Sequence, residues 1–310
     1  MRKELDQLRR FADEKRRDLS ARFFKTYDIV LARVRRAHNK LRGLPDSAVL
    51  ARAKRADKYD KDTQDNLPVV ENSAVPDGIC VYAFGDVHGR ADLLERLFDK
   101  VEADINAHAK DENIVLVFLG DYIDRGFQSR DVIDFLLSDR VSKYQCIFLK
   151  GNHEEALMKF MQEPSFGPRW AGYGGLETLT SYNVRPPRIR TAGEEWVAAC
   201  DALNEAMPAE HRRFFNTLEI SATIGDYVFV HAGLKPGTPI EEQVEDDALW
   251  IREEFLNDKS SFGLIVVHGH TPISAPYRDF RRIGIDTGAY LSGKLTAACF
   301  MRSDVKFIST

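Results

Sequence analysis

Three times in this chain an apolar run ends in glycine followed by a side chain able to bind a metal ion. Gly85 leads to Asp86, with His88 two residues on; Gly120 leads to Asp121; Gly151 leads to Asn152 and His153. Two further apolar runs end in histidine, YVFV at His231 and LIVV at His268 and His270. A single Gly-Asp is an ordinary turn, because both residues suit turn geometry. Three in register, each at the C-terminal end of an apolar run where α/β proteins gather ligands on loops, call for another explanation. The donors are carboxylate, imidazole and carboxamide oxygen without thiolate, a set that suits manganese, iron or zinc better than an iron–sulfur or cysteine-zinc site. They are too many for one tetrahedral ion. Two ions about 3.5–4 Å apart that share a carboxylate would clamp the attacking and leaving oxygens of a phosphoryl displacement.

The elements that must carry these residues follow from periodicity. Short β-branched and aromatic runs at 79–84, 113–120 and 145–150 alternate with helical patterns at 90–109 and 129–138. That order is the mark of parallel βαβ units. A mostly helical insertion is expected from Glu154 to about Phe215, and then strands at 218–223, 227–232, 264–269, 281–286, 295–300 and 305–309. Two sheets packed face to face with helices outside accommodate this order. The insertion, with Trp170, Tyr173 and Trp196, is expected to build the wall that selects a substrate.

The ordered set GDVHG (85–89), GDYIDRG (120–126), GNHE (151–154), VHAG (230–233) and HGHT (268–271) resembles the phosphoprotein phosphatase branch of the calcineurin-like metallophosphoesterases, its bacterial and phage serine/threonine phosphatases in particular. The resemblance spans about residues 79–310, and the late segment IDTGAYLSGKLTA (285–297) is also similar to diadenosine tetraphosphate hydrolases. It implies an α/β fold, a two-sheet α/β/β/α sandwich. Asp86 and His88 would bind one metal, Asp121 would bridge, and Asn152, His231 and His270 would bind the second, with His268 as the alternative to His270. Asp124 would orient His153, the general acid; Arg125 would hold phosphoryl oxygens as a bidentate fork, and Arg252 would be a second phosphate-binding arginine. Glu154 reads equally as a support for the ligands or as a helix-start carboxylate favoured by the dipole. Asp286 reads as the cap of a turn. The activity implied is hydrolysis of phosphomonoesters by a metal-activated hydroxide, with manganese the expected metal and iron or zinc its rivals. The expected substrate is a phosphoprotein at serine or threonine, or a phosphorylated small molecule; a dinucleoside polyphosphate is the alternative, and an inactive binding module is a further one.

The formal net charge of -4 gives no global attraction to nucleic acid or anionic membranes. Residues 1–60 differ, with Lys and Arg outnumbering Asp and Glu about two to one and no Gly or Pro before Gly43. They are expected to form a basic helical extension. Phe23, Tyr27, Val30, Leu31, Val34 and Leu41 share one face of it, which would pack on the chain itself, pair with a second copy or dock a partner. Residues 61–77 read as a linker and 78–310 as the catalytic domain. No apolar segment approaches the roughly 20 residues of a membrane span, and the charged N-terminus is no signal peptide, so a cytoplasmic location is expected. Cys80, Cys146, Cys200 and Cys299 show no CxxC pairing and read as core thiols. His38, His108 and His211 are expected at the surface.

Overall fold

The computed structural model describes residues 73–188 and 193–310. The expected extension over 1–60 and most of the linker lie outside the described residues. Residues 73–77 pack on the sheets: Tyr227 Oη donates to the Ser73 carbonyl, the Ala74 N–H to the Asp226 carboxylate, and Val75 is buried. The packed unit therefore takes in residues from Ser73 onward.

The first sheet combines β1 (Ile79–Phe84), β2 (Asn113–Phe118), β3 (Gln145–Phe148), β9 (Thr296–Met301) and β10 (Asp304–Ser309) in the order β10-β9-β1-β2-β3. β1, β2 and β3 are parallel, while β9 and β10 pair antiparallel. The second sheet runs β4-β5-β6-β8-β7, from β4 (Ser221–Ile224), β5 (Tyr227–Val230), β6 (Ile265–His268), β7 (Tyr277–Arg278) and β8 (Arg282–Gly284), with β5, β6 and β8 parallel.

The period-2 alternation of strands explains how so many apolar residues are buried at once. In β1, Val81 and Ala83 join Val117, Phe229 and Val267 between the sheets, whereas Cys80, Tyr82 and Phe84 point into the helix-covered core. Strand β5 divides likewise: Tyr227 and Phe229 face the first sheet, and Val228 and Val230 face Phe255 and Phe262. The architecture is the expected α/β two-sheet sandwich with helices outside.

Helix α1 (Ala91–His108) covers the first sheet with Leu94, Leu97, Phe98, Val101 and Ile105, spaced three and four apart. Helix α2 (Ser129–Leu136) and the short α3 (Asp139–Ser142) follow. The insertion forms α4 (Asn152–Gln162), α5 (Gly167–Ala171), α6 (Gly175–Ser181), α7 (Gly193–Ala206) and α8 (Ala209–Asn216). α9 (Glu245–Trp250), α10 (Glu253–Asn257) and α11 (Ala289–Ser292) complete the helices described here.

Two expectations fail. His211 is fully buried, its Nδ1 2.8 Å from Tyr182 Oη and its Nε2 2.8 Å from Asp134, because α8 turns its His211 face onto the insertion core. Trp170 and Trp196 are core residues rather than substrate wall. Trp170 stacks on Phe160, and Trp196 meets Phe160 edge-on. All four cysteines are free thiols. No helix among the described residues is long and apolar enough to cross a membrane.

Candidate metal centre

The suspect residues converge where β1, β2, β3, β5 and β6 end, and the backbone there departs from its usual conformations. Seven non-glycine residues among those described have positive φ, and five of them are His88, Asp121, Asp124, Arg125 and His270. For a residue with a Cβ this region costs free energy and persists only where surrounding contacts impose it. Glycine is required at two neighbouring points by close approach. A Cβ on Gly151 would collide with the Asp121 carboxylate, and one on Gly269 with that of Asp86.

Asp121 lies at the centre, buried, with its carboxylate between two groups of donors. Its Oδ2 is 3.5 Å from His88 Nε2 and 3.8 Å from His153 Nε2; its Oδ1 is 3.4 Å from His231 Nε2. His231 Nε2 stands 3.0 Å from Asn152 Oδ1 and 3.2 Å from His270 Nδ1, which is itself 2.9 Å from Asn152 Oδ1. Thus the structure gathers His88, Asp121 and His153 on one side and Asp121, Asn152, His231 and His270 on the other. Asp86 stands outside both groups. It is buried next to them, and its carboxylate accepts the His270 backbone N–H at 3.0 Å. His268 faces away, its Nε2 3.1 Å from Arg282 Nη1 and its ring edge-on to Phe255.

The hydrogen bonds behind the cluster test whether it suits a cation. His88 Nδ1 meets the Ile123 carbonyl at 2.9 Å and His231 Nδ1 the Leu119 carbonyl at 2.8 Å. A carbonyl can only accept, so each Nδ1 carries the proton and each Nε2 presents a lone pair inward. His231 Nε2, Asn152 Oδ1 and the Asp121 carboxylate then face one another as acceptors, and His270 Nε2 is buried without a hydrogen-bond partner among the described residues. One proton on His270 serves two of these contacts at most. A cation serves all of them, and ligands about 2.0–2.2 Å from one ion stand at about the separations seen.

Electrostatics agree. Burial lowers His88 well below the usual imidazole range and takes His270 down to about 2, so both are neutral and ready to coordinate. Burial also raises Asp86, reinforced by the charges of Asp286 and Asp121, which leaves a carboxyl that a positive neighbour would ionise. Against Asp121 burial also acts upward, yet the carboxyl is held far below its normal value, with the charge on His153, the imidazole of the cluster whose own pKa is raised, acting on it.

Around this cluster sits a set of oriented polar groups. His153 Nδ1 is 2.7 Å from Asp124 Oδ2, and Asp124, fully buried, also accepts from Trp170 Nε1 at 2.9 Å and Thr178 Oγ1 at 2.6 Å. Burial pulls the His153 pKa down, but the charge of Asp121 and the hydrogen bond and charge of Asp124 prevail, and it ends raised. Arg125 Nη2 approaches His153 Nε2 at 3.2 Å, and its guanidinium lies over the Tyr290 ring. Arg252 reaches Thr271 Oγ1 at 3.3 Å and the His270 carbonyl at 3.4 Å. Among the described residues neither arginine has a carboxylate partner.

Glu154 meets both readings of it at once. Near the start of α4 its Oε2 accepts the N–H groups of Gly151 and Asp121, and Oε1 accepts that of Tyr122, all at 2.9 Å. It ties the β2 and β3 loops together. Burial, with the Asp121 charge, pushes its carboxyl up to about 8.

Sequence reasoning missed Tyr290, Thr178 and the supporting role of Trp170. Only the proximity of IDTGAY to the other motifs hinted at the first. Asp286 does cap a turn, accepting the Gly288 N–H at 2.8 Å, and burial pushes its carboxyl up to about 6.

Comparison with known proteins agrees with this geometry. The family model described as calcineurin-like phosphoesterase matches residues 80–308. The bis(5'-nucleosyl)-tetraphosphatase PrpE (asymmetrical) of Anoxybacillus flavithermus is 26% identical over 234 residues, covering 69% of this chain and 87% of that protein. Its namesake in Bacillus subtilis is 27% identical over 237 residues, covering 69% and 88%. A solved cold-active protein tyrosine phosphatase superposes with a TM-score of 0.50 at 17% identity, over 81% of this chain and 83% of that one. With acceptors arranged for cations and a matching family model over its whole sheet domain, the chain belongs to the calcineurin-like phosphoesterases.

Proposed function

We propose that the chain is a hydrolase of phosphomonoesters, with phosphoserine and phosphothreonine in proteins as its substrates and manganese, ahead of iron or zinc, as its metal. The observation that carries this reading is the buried His153–Asp124 pair. Serine and threonine leave as strongly basic alkoxides, so they need a proton at the moment of P–O cleavage. His153, raised in pKa and held by Asp124, is built to supply one.

Asp86, His88, Asp121, Asn152, His231 and His270 would hold the two cations. Bound there, the metals would acidify a water molecule and offset charge on the phosphoryl oxygens. Arg125 and Arg252 would bind the non-bridging phosphoryl oxygens, their donors free of carboxylates. His153 donates its Nε2 proton to the departing oxygen, and Asp124 stabilises the imidazolium beforehand. Replacing His153 by Asn is expected to lower kcat by roughly 10²–10⁴ with metal content unchanged. Unaltered turnover would sink the assignment.

A second reading, hydrolysis of bis(5'-nucleosyl) tetraphosphates, is favoured by the activity for which the PrpE relatives are named. The two are separated by comparing kcat/KM for a phosphoserine peptide and for diadenosine tetraphosphate with the metal-loaded protein. Phosphate leaving groups are weakly basic, so on the tetraphosphate the His153→Asn loss should be much smaller.

A further inference from the structure

Arg125 has no carboxylate partner among the described residues, yet its guanidinium is not loose. Its Cζ lies over the Tyr290 ring, 4.5 Å from the centroid, and the same ring meets the His88 imidazole edge-on at 5.3 Å. The chemistry of this hold matters. A carboxylate would engage the N–H groups of Arg125 and cancel its charge, whereas an aromatic face attracts the cation through its quadrupole and leaves the N–H groups in the guanidinium plane free.

The ring is itself positioned. Tyr290 sits on the four-residue α11, bounded by Gly288 and Gly293, both with left-handed backbone. Asp286 Oδ1 accepts the Gly288 N–H, Ser292 Oγ donates to the Thr287 carbonyl at 2.7 Å, and Arg90 Nη1 donates to the Ala289 carbonyl at 3.1 Å. On the other side, the left-handed Arg125 backbone donates its N–H to the Gly174 carbonyl at 3.0 Å. Backbone and ring thus fix the guanidinium from two directions.

We infer that Tyr290 is a positioning residue that presents the Arg125 guanidinium to the phosphoryl group without itself engaging the N–H donors, of which Nη2 lies 3.2 Å from His153 Nε2. The inference rests on the proposed role of Arg125 in phosphoryl binding. It assigns to the turn after Asp286 a function in substrate binding beyond closing the fold.

The test is a double-mutant cycle on the metal-loaded full chain, read as the inhibition constant for inorganic phosphate and as KM and kcat for p-nitrophenyl phosphate. Tyr290→Phe keeps the ring and should retain the wild-type phosphate constant. Tyr290→Leu keeps apolar bulk without the aromatic face, and Tyr290→Ala removes both; each should weaken phosphate binding by about 5- to 10-fold, with KM moving more than kcat. Metal content and thermal midpoint, measured alongside, report any general disruption. In the Arg125→Ala background Tyr290→Ala should add nothing further. If it weakens binding equally in that background, or if Tyr290→Leu binds phosphate like wild type, the inference is overturned while the role of Arg125 stands. If Arg125→Ala itself leaves the phosphate constant unchanged, the role of Arg125 fails, and the inference with it.

Discussion

Replacing Asp124 by Asn asks what a single buried charge contributes. Asp124 is fully buried and accepts three donors, with Trp170 and His153 sharing Oδ2 and Thr178 on Oδ1. An asparagine that keeps its oxygen at the Oδ2 position preserves the first two bonds. Its NH2 then meets Thr178 Oγ1, which can accept and turn its own proton to Ser129 Oγ, 3.0 Å away. The shape survives and the charge does not. Exchanging the charge-assisted bond to His153 for a neutral one removes the difference between them, about 1–1.5 kcal/mol, from the imidazolium. At about 1.4 kcal/mol per decade, that is roughly a 5- to 12-fold loss in kcat where leaving-group protonation limits the rate. Phenyl phosphate and p-nitrophenyl phosphate provide the assay, because phenoxide is far more basic than nitrophenoxide. The loss should be larger for phenyl phosphate. Because Asp124 raises the His153 pKa, the alkaline fall of the pH–rate profile should also move to lower pH. Equal losses on both esters, with an unmoved alkaline limb, would refute the assignment of His153 as the acid.

Three further outcomes are expected. Glu154→Gln places an NH2 against backbone N–H groups that the carboxylate now accepts, and should destabilise the protein by about 1–3 kcal/mol in urea denaturation; an unchanged midpoint contradicts this. Chelation should lower the thermal midpoint and abolish turnover, since His231, Asn152 and Asp121 are left facing one another as acceptors, and readdition of manganese should restore both. Turnover persisting in protein shown by elemental analysis to be metal-free would refute it. Asp279 is opposed by burial, but the N–H groups of Arg281 and Arg282 and the Tyr277 hydroxyl hold its carboxyl below the ordinary value. Its contribution, discounted for partial exposure to solvent to about 0.5 kcal/mol, is therefore present above the unfolded carboxyl pKa and lost as pH falls through the folded one. The stability gap between wild type and Asp279→Asn should close on acidification, and a gap that is constant with pH would exclude this coupling.

The parts of the site that the sequence made legible are those in which cause and effect are neighbours in the chain. An apolar strand, a glycine and a ligand lie within a few residues, so Asp86, Asp121 and Asn152 could be placed at strand ends before any fold was known. The strands themselves were overestimated where they feed the site: the run 113–120 is a strand only to Phe118, because the chain is already turning toward Asp121. What escaped depends on distant partners. Trp170 and Thr178 meet Asp124 across 46 and 54 residues, and an indole in a helical segment carries no local sign that its N–H will be needed there. Arg281 escaped in the same way. Its side chain is buried, with Nη2 donating to the Phe255 and Leu256 carbonyls, 26 and 25 residues away. His211 was misplaced because charged neighbours in sequence need not be neighbours in space.

The left-handed residues of the centre have a consequence for how this protein would change under selection. Glycine at 88, 121, 124, 125 or 270 would relieve the backbone while removing a side chain the proposed chemistry requires. Backbone conformation and the proposed chemistry therefore pull in opposite directions at five positions within a single site. Relief of the backbone does not decide the outcome alone, because glycine at 124 would strand the donors of His153, Trp170 and Thr178. The backbone dihedrals mark, without reference to any substrate, where this chain holds function at the expense of its own comfort.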